Sequence, residues 1–296
     1  MKTNLDCIPC LVRQATAAVR LSVADESRQA DIMRSLLPQL MGPDWNRSPT
    51  VVAQHLHRFI RKETGNSDPY RAYKERMNLL ALELLPCLQR EVRVEEFPQT
   101  ALVRLALVGN LIGGDPAAGM SEMEIRTALC RACRGDCMMD SAKDLFLAAE
   151  QARHILYLAD NAGEIVLDRA LLEALPIARI VVAVRGSPII NDATFADAEM
   201  ASLPDIVSVM PNGSDAPGTL LEDCSEEFRR VFEAADLIIA KGQSNYESLY
   251  GITKHAFFLQ HVTCPCVAAH CGVPVGSMAI CERNGATAMQ KNVVIQ

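Results

Sequence analysis

The chain of 296 residues carries 49% hydrophobic and 22% charged residues, values that suit a folded globular protein and exclude a disordered, collagen-like or fibrous one. Twenty-nine Lys and Arg stand against 36 Asp and Glu, a net charge of −7. Without a basic stripe interleaved with aromatics, nucleic acid is excluded as a partner. No stretch approaches the ~20 apolar residues of a membrane-spanning helix, and MKTNLDCIPC lacks the apolar core of a signal peptide, so a cytoplasmic protein with no membrane association is expected.

From residue 1 to about 150 the apolar positions recur with helical spacing, as in CLVRQATAAVRLSV, DIMRSLLPQL, VVAQHLHRFI and ERMNLLALELLPCL, and this predicts a mainly helical N-terminal domain. His55 and His57 fall two apart in one of these helices and point to different faces, which makes them a poor ligand pair.

Near residue 154 the pattern changes. HILYLA (154–159), RIVVAV (179–184), DIVSVM (205–210) and DLIIA (236–240) are short β-branched runs, the signature of buried parallel strands. The intervening GEIVLDRALLEAL, TFADAEMASL and TLLEDCSEEFRRVFEAA are long enough for crossover helices, so 151–296 reads as βαβ units of an α/β domain. CVAAHCG and the final NVVIQ add a helix and an edge strand, and PNGSDAPG (211–218) reads as a loop. The acidic runs REVRVEE (90–96) and LEDCSEEF (221–228) read as solvated helix faces.

In an open parallel sheet the ligand crevice lies beyond the carboxyl ends of the strands, where successive connections leave in opposite directions. The first predicted strand ends in Asp160-Asn161-Ala162-Gly163-Glu164, the second in Arg185-Gly186-Ser187-Pro188 followed by Asn191-Asp192, and the fourth in Lys241-Gly242-Gln243-Ser244-Asn245. Two carboxylates and an amide oxygen are hard ligands for a divalent ion that takes phosphate oxygens as further ligands. Gly163 and Gly242 allow close backbone approach to an anion, and Lys241 is placed to neutralise phosphoryl oxygens. Each cluster alone is also ordinary turn or cap chemistry; their recurrence at three strand ends is what points to a site.

LADNAGEIVLD, RGSPIINDAT and AKGQSNYESL, taken in order, resemble the damage-control phosphatase family, long catalogued as a domain of unknown function. LDCIPC, GNSDPYRAYKERMN (65–78), ALVGN (106–110) and CPCVAAHCGVPVG (264–276) extend the resemblance, to the family's prokaryotic branch, over nearly the whole chain. It implies a helical N-terminal region packed on a Rossmann-like α/β/α domain, and metal-dependent hydrolysis of phosphate monoesters of small metabolites such as sugar or cofactor-like phosphates. The expected cofactor is a divalent metal (Mn, Mg, Co or Ni), held by Asp160, Asn161 and Asp192. Asp160 and Lys241 are expected to be catalytic. Asn110, Glu164, Arg185, Lys241 and Asp115 are expected around the substrate, Asp115 within LIGGDPAAG (111–119), where the sequence departs from the family's shorter turn. The attacking group is open between a metal-activated water and Asp160 itself.

Eleven cysteines, an odd number, fit thiols or metal ligands in a reducing compartment better than a disulfide framework. Cys7-x-x-Cys10 and Cys130-x-x-Cys133-x-x-x-Cys137 have thiolate-site spacing, and Cys264, Cys266, His270 and Cys271 form a third cluster. A second metal or redox site at Cys7 and Cys10, binding zinc or iron–sulfur, is one reading; small buried hydrophobes are the other. With no G-x-G-x-x-G, P-loop or G-x-S-x-G, the alternatives to a phosphatase are a carboxylate methyltransferase on the same fold and a non-enzymatic cysteine-rich module.

Overall fold

Ser48 accepts a hydrogen bond from the amide of Thr50 with Pro49 next in line, and Gly65 follows Thr64 at φ 68°. These start and stop signals delimit helix α3 (Pro49–Thr64), because a hydroxyl satisfies an orphan amide at one end and a glycine takes the left-handed turn at the other. With α1 (Cys7–Ser22) and α2 (Glu26–Leu36), α3 closes a small core of its own around Leu11, Val19, Ile32, Leu36, Leu56 and Ile60. α4 (Arg71–Arg93), α5 (Pro98–Val108), α6 (Glu122–Ala132) and α7 (Met139–Gln151) complete the helical half. The computed structural model describes residues 1–112, 121–132, 139–285 and 290–295, and among them no helix is long and apolar enough to cross a membrane.

The second half is an α/β sheet. β1 (Ile155–Leu158), β2 (Ile180–Val184), β3 (Ser208–Pro211), β4 (Leu237–Lys241) and β5 (His255–Val262) run parallel, and β6 (Ser277–Arg283) and β7 (Gln290–Ile295) add antiparallel pairs. The order is β3-β2-β1-β4-β5-β6-β7. The chain steps outward from β1 to β2 to β3 through α8 (Glu164–Leu172) and α9 (Phe195–Met200). It then returns through α10 (Glu226–Ala234) to β4 on the other side of β1, and continues by α11 (Gly242–Leu249) to β5. The direction reverses between β1 and β4, and a crevice opens there.

Alternation within the strands explains the layers. Ile155, Tyr157, Val182, Val184, Ile239 and Phe257 face a core shared with α4, α5, α7, α8 and α9, whereas Leu156, Leu158, Ala183, Ile238, Ala240 and Phe258 face α10, α11 and α12 (Pro265–Cys271). Each large apolar side chain buried this way contributes about 1.5–3 kcal/mol. The change of secondary structure thus falls near residue 150, while the core runs across it, with the N-terminal helices as one of the sheet's covering layers.

The expected strands appear within a few residues of their sequence positions. β5 and β6 were not anticipated, and the helix after PNGSDAPG is shorter than the run TLLEDCSEEFRRVFEAA suggests, because 219–224 stays in turns whose Glu222 and Asp223 pair with Arg47 and Arg58. His55 is exposed and His57 buried, on different faces as expected.

Candidate metal and phosphate site

β1 delivers Asp160 one residue beyond its last buried apolar position, so the side chain meets the crevice with 7% of its surface exposed. The loop after β2 turns back to meet it. Ala162 N donates to Asn191 O at 2.9 Å and Ala193 N to Asp160 O at 2.7 Å, pairing Asn161 with Asp192 in an antiparallel bridge. The sharp return is made at Ile190, whose φ of 45° is costly for a β-branched residue and whose side chain packs against the α1–α3 core. The result brings Asp160, Asn161 and Asp192 together.

Their side chains are cross-braced. Asn161 Nδ2 donates to Asp160 Oδ2 (2.8 Å), and Asn161 Oδ1 accepts from Asn191 Nδ2 (3.0 Å). Arg185 Nε donates to Asp192 Oδ2 at 2.6 Å, and Arg185 Nη2 lies 3.7 Å from Asp160 Oδ1. That Nη2 is buried and makes no hydrogen bond. Gly242, at φ 77°, forms the floor: a Cβ there would lie 1.8 Å from Asp160 Oδ2, so only glycine leaves the carboxylate its place.

A second layer lies beneath. Lys241 is fully buried, and its ammonium donates to Ala106 O (2.8 Å), Glu164 Oε1 (2.5 Å) and Asp168 Oδ1 (2.6 Å). All three N–H bonds therefore end on protein oxygens, and Lys241 stands behind the rim rather than on it. Glu164 also accepts from Asn110 Nδ2, while Asn110 Oδ1 accepts from His261 N at 3.1 Å. Asn110 thereby ties the end of the α5 segment to α8 and β5. Asp115 lies outside the described residues.

Electrostatics follow from burial. Asp160, Glu164, Asp168 and Asp192 are four buried carboxylates beside two buried cations, Arg185 and Lys241. When all are ionised, two negative charges are in excess. Burial pushes Glu164 up to about 8 despite Lys241 beside it, and Asp192 up to about 7 despite Arg185; burial raises Asp160 and Asp168 as well. Burial works against the Lys241 ammonium, yet Asp168 and Glu164 outweigh it and hold its pKa above the ordinary lysine value. A hard divalent cation fits this donor set, since it would match the surplus charge and take oxygen ligands alone.

Two contributors escaped the sequence reading. Asp168 follows Glu164 by four residues on α8, so one helix face presents both to Lys241; that spacing was available as a signal. Asn78 lies in GNSDPYRAYKERMN, fully buried, where its Oδ1 accepts from Gly163 N (2.6 Å) and its Nδ2 donates to Asp197 Oδ1 (2.8 Å). It joins α4 to the turn after β1 and to the cap of α9, and nothing in the sequence separates it from any other helical asparagine.

Cys7 is buried and Cys10 exposed on α1; Cys133 and Cys137 lie outside the described residues. Among the described residues no three His, Cys, Asp or Glu side chains are grouped to hold a metal; beside the two aspartates stands Asn161, whose Nδ2 faces Asp160 and whose Oδ1 is engaged by Asn191.

The description damage-control phosphatase ARMT1-like domain covers residues 3–279. An uncharacterised protein of Methanocaldococcus jannaschii is 34% identical over 297 residues, spanning 96% of each chain. A damage-control phosphatase of Pyrococcus horikoshii is 31% identical over 96% of this chain and 99% of its own, and one of Archaeoglobus fulgidus is 31% identical over 94% and 98%. The crystal structure of a DUF89 family protein from Pyrococcus horikoshii superposes with a TM-score of 0.85 at 30% identity, over 94% of this chain and 98% of that one. With the family covering the chain almost end to end and the fold shared with a solved member, this protein belongs to the damage-control phosphatase ARMT1-like family.

Proposed function

We propose that the protein is a metal-dependent phosphatase hydrolysing phosphate monoesters of small metabolites, sugar phosphates or cofactor-like phosphates among them. The observation that carries this reading is the set of four buried carboxylates, Asp160, Glu164, Asp168 and Asp192, facing only two buried cations, Arg185 and Lys241, at the switch point between β1 and β4. Asp160, Asn161 and Asp192 would hold Mn, Mg, Co or Ni. When bound, the ion withdraws charge from the phosphoryl oxygens.

The chain's own residues then have distinct tasks. Arg185 orients Asp192 and keeps a free N–H aimed toward Asp160, available to a phosphoryl oxygen entering between them. Lys241 holds Glu164 and Asp168 in place and offsets their charge from behind the rim. Asn110 donates to the same Glu164 oxygen as Lys241 and helps fix it. Family membership favours this hydrolase over a methyltransferase.

The test is phosphate release from a panel of phosphorylated sugars, nucleotides and pantetheine-like compounds across several divalent ions. Release that requires the ion and is lost in Asp160→Ala with the fold intact is the expected result; methyl transfer, or release unaffected by Asp160→Ala, would overturn it.

A further inference from the structure

Residues 7 and 266 lie at opposite ends of the chain, yet their sulfurs share one partner. Asn4 Oδ1 accepts from Cys7 Sγ at 3.5 Å and from Cys266 Sγ at 3.4 Å, and Asn4 Nδ2 donates to Cys266 Sγ at 3.3 Å. The proximity of Cys266 also helps to raise the Cys7 thiol pKa. Two motifs, LDCIPC and CPCVAAHCG, therefore meet at a single asparagine amide, and neither thiol takes part in the phosphatase site.

We propose that Cys7 and Cys266 form an oxidisable thiol pair, which a peroxide converts into a disulfide joining the start of α1 to the start of α12. Cys266 is partly exposed and meets the oxidant first, whereas Cys7 is buried. The Cys266 sulfur displaces water from hydrogen peroxide to give a sulfenic acid; the Cys7 sulfur then displaces the second water as the S–S bond forms. Two thiols give up two protons and two electrons, and one peroxide becomes two waters.

Burial raises the Cys7 thiol, in keeping with its role as the resolving group rather than the first to react. The bond would fasten the first helix to the segment after β5. That segment is already clamped from α11, where Gln243 Oε1 accepts from Thr263 N (3.1 Å) and Cys264 N (3.0 Å), two residues beyond Lys241.

The experiment treats the full chain with hydrogen peroxide, alkylates the remaining thiols, and maps peptides by mass spectrometry without reductant. The expected product is a Cys7–Cys266 linked pair with two fewer alkylatable thiols, reversed by dithiothreitol. It persists in Cys10→Ser and Cys264→Ser and disappears in Cys266→Ser, which also serves if Cys7→Ser does not fold. The oxidised wild type should melt several degrees higher than the reduced protein, a shift missing in Cys266→Ser. A Cys7–Cys10 or Cys264–Cys266 link instead, or both thiols still alkylatable once exposed Cys10 is oxidised, would overturn the assignment.

Discussion

Arg185 is bonded to Asp192 at 2.6 Å in an interior where the two residues keep only 2% and 4% of their surface exposed. Removing the cation strands Asp192 and leaves Asp160 with less compensation. Arg185→Met should lower stability by about 3–5 kcal/mol, the cost of breaking a buried pair, measured by urea unfolding. Because a bound divalent ion supplies the missing charge, Mn²⁺ should restore more stability to this variant than it adds to the wild type. Equal gains in both would count against a cation between Asp160 and Asp192.

Gly242 sits under Asp160 with no room for a methyl group. Gly242→Ala should displace the Asp160 carboxylate and lower phosphatase kcat by about 100-fold or more, because a displacement near 1 Å at a reacting centre is enough for that loss. The accompanying left-handed strain is about 1–2 kcal/mol. Full activity in a folded Gly242→Ala would refute the placement of Asp160.

Asn78 bridges Gly163 N and Asp197. Asn78→Ala leaves a buried donor and a buried acceptor unmatched, at about 1–3 kcal/mol. Asn78→Asp should be worse, since it sets a second carboxylate against Asp197 beside a Lys74 already shared between Asp68 (3.2 Å) and Asp197 (3.4 Å). Denaturant midpoints of the two variants rank them; a more stable Asn78→Asp would contradict the assigned donor direction.

His57 is buried with Nε2 unbonded, and burial, with Arg61 nearby, pushes its pKa down to about 4. The unfolded chain protonates near 6.5 while the folded chain stays neutral, so this contribution is present above 6.5 and is lost as pH falls from 6.5 toward 4, by about 3 kcal/mol. His57→Phe should flatten that part of the stability profile in thermal melts at pH 7, 5.5 and 4.5. An unchanged slope would show that His57 is not the group responsible.

Asp192 behaves in the opposite sense. With its pKa raised to about 7, the metal-free folded state holds the proton that a bound ion must displace. Affinity for Mn²⁺ should climb as pH rises through about 7, by up to about tenfold per unit below it, as titration calorimetry at pH 6, 7 and 8 would record. Affinity flat across that range would speak against Asp192 as a ligand.

Much of the site was legible because chemistry and strand ends coincide along the chain. β1, β2 and β4 are largely buried apolar runs, and the first charged residue each meets is Asp160 just past β1, Arg185 just past β2 and Lys241 at the end of β4. β5 escaped notice because HAFFLQHV mixes apolar residues with Gln260 and two histidines, and β6 because its partner is antiparallel and lies across a helix. Lys241 showed its charge in the sequence but not its orientation, which is set by Glu164 and Asp168 more than seventy positions earlier. The meeting of Cys7 with Cys266 through Asn4 has no local signature at all.

The shared core has a practical corollary for anyone wishing to cut this protein down. α4, α5 and α7 roof one side of the sheet, and Ala106, Asn110 and Asn78 reach from that roof to Lys241, Glu164 and Gly163. A fragment starting at residue 151 would expose Tyr157, Val182, Ile239 and Phe257 to water and leave the Lys241 ammonium one acceptor short. The helical half is therefore the missing wall of the hydrolytic half, and neither truncation nor domain exchange at that seam should yield a working minimal enzyme.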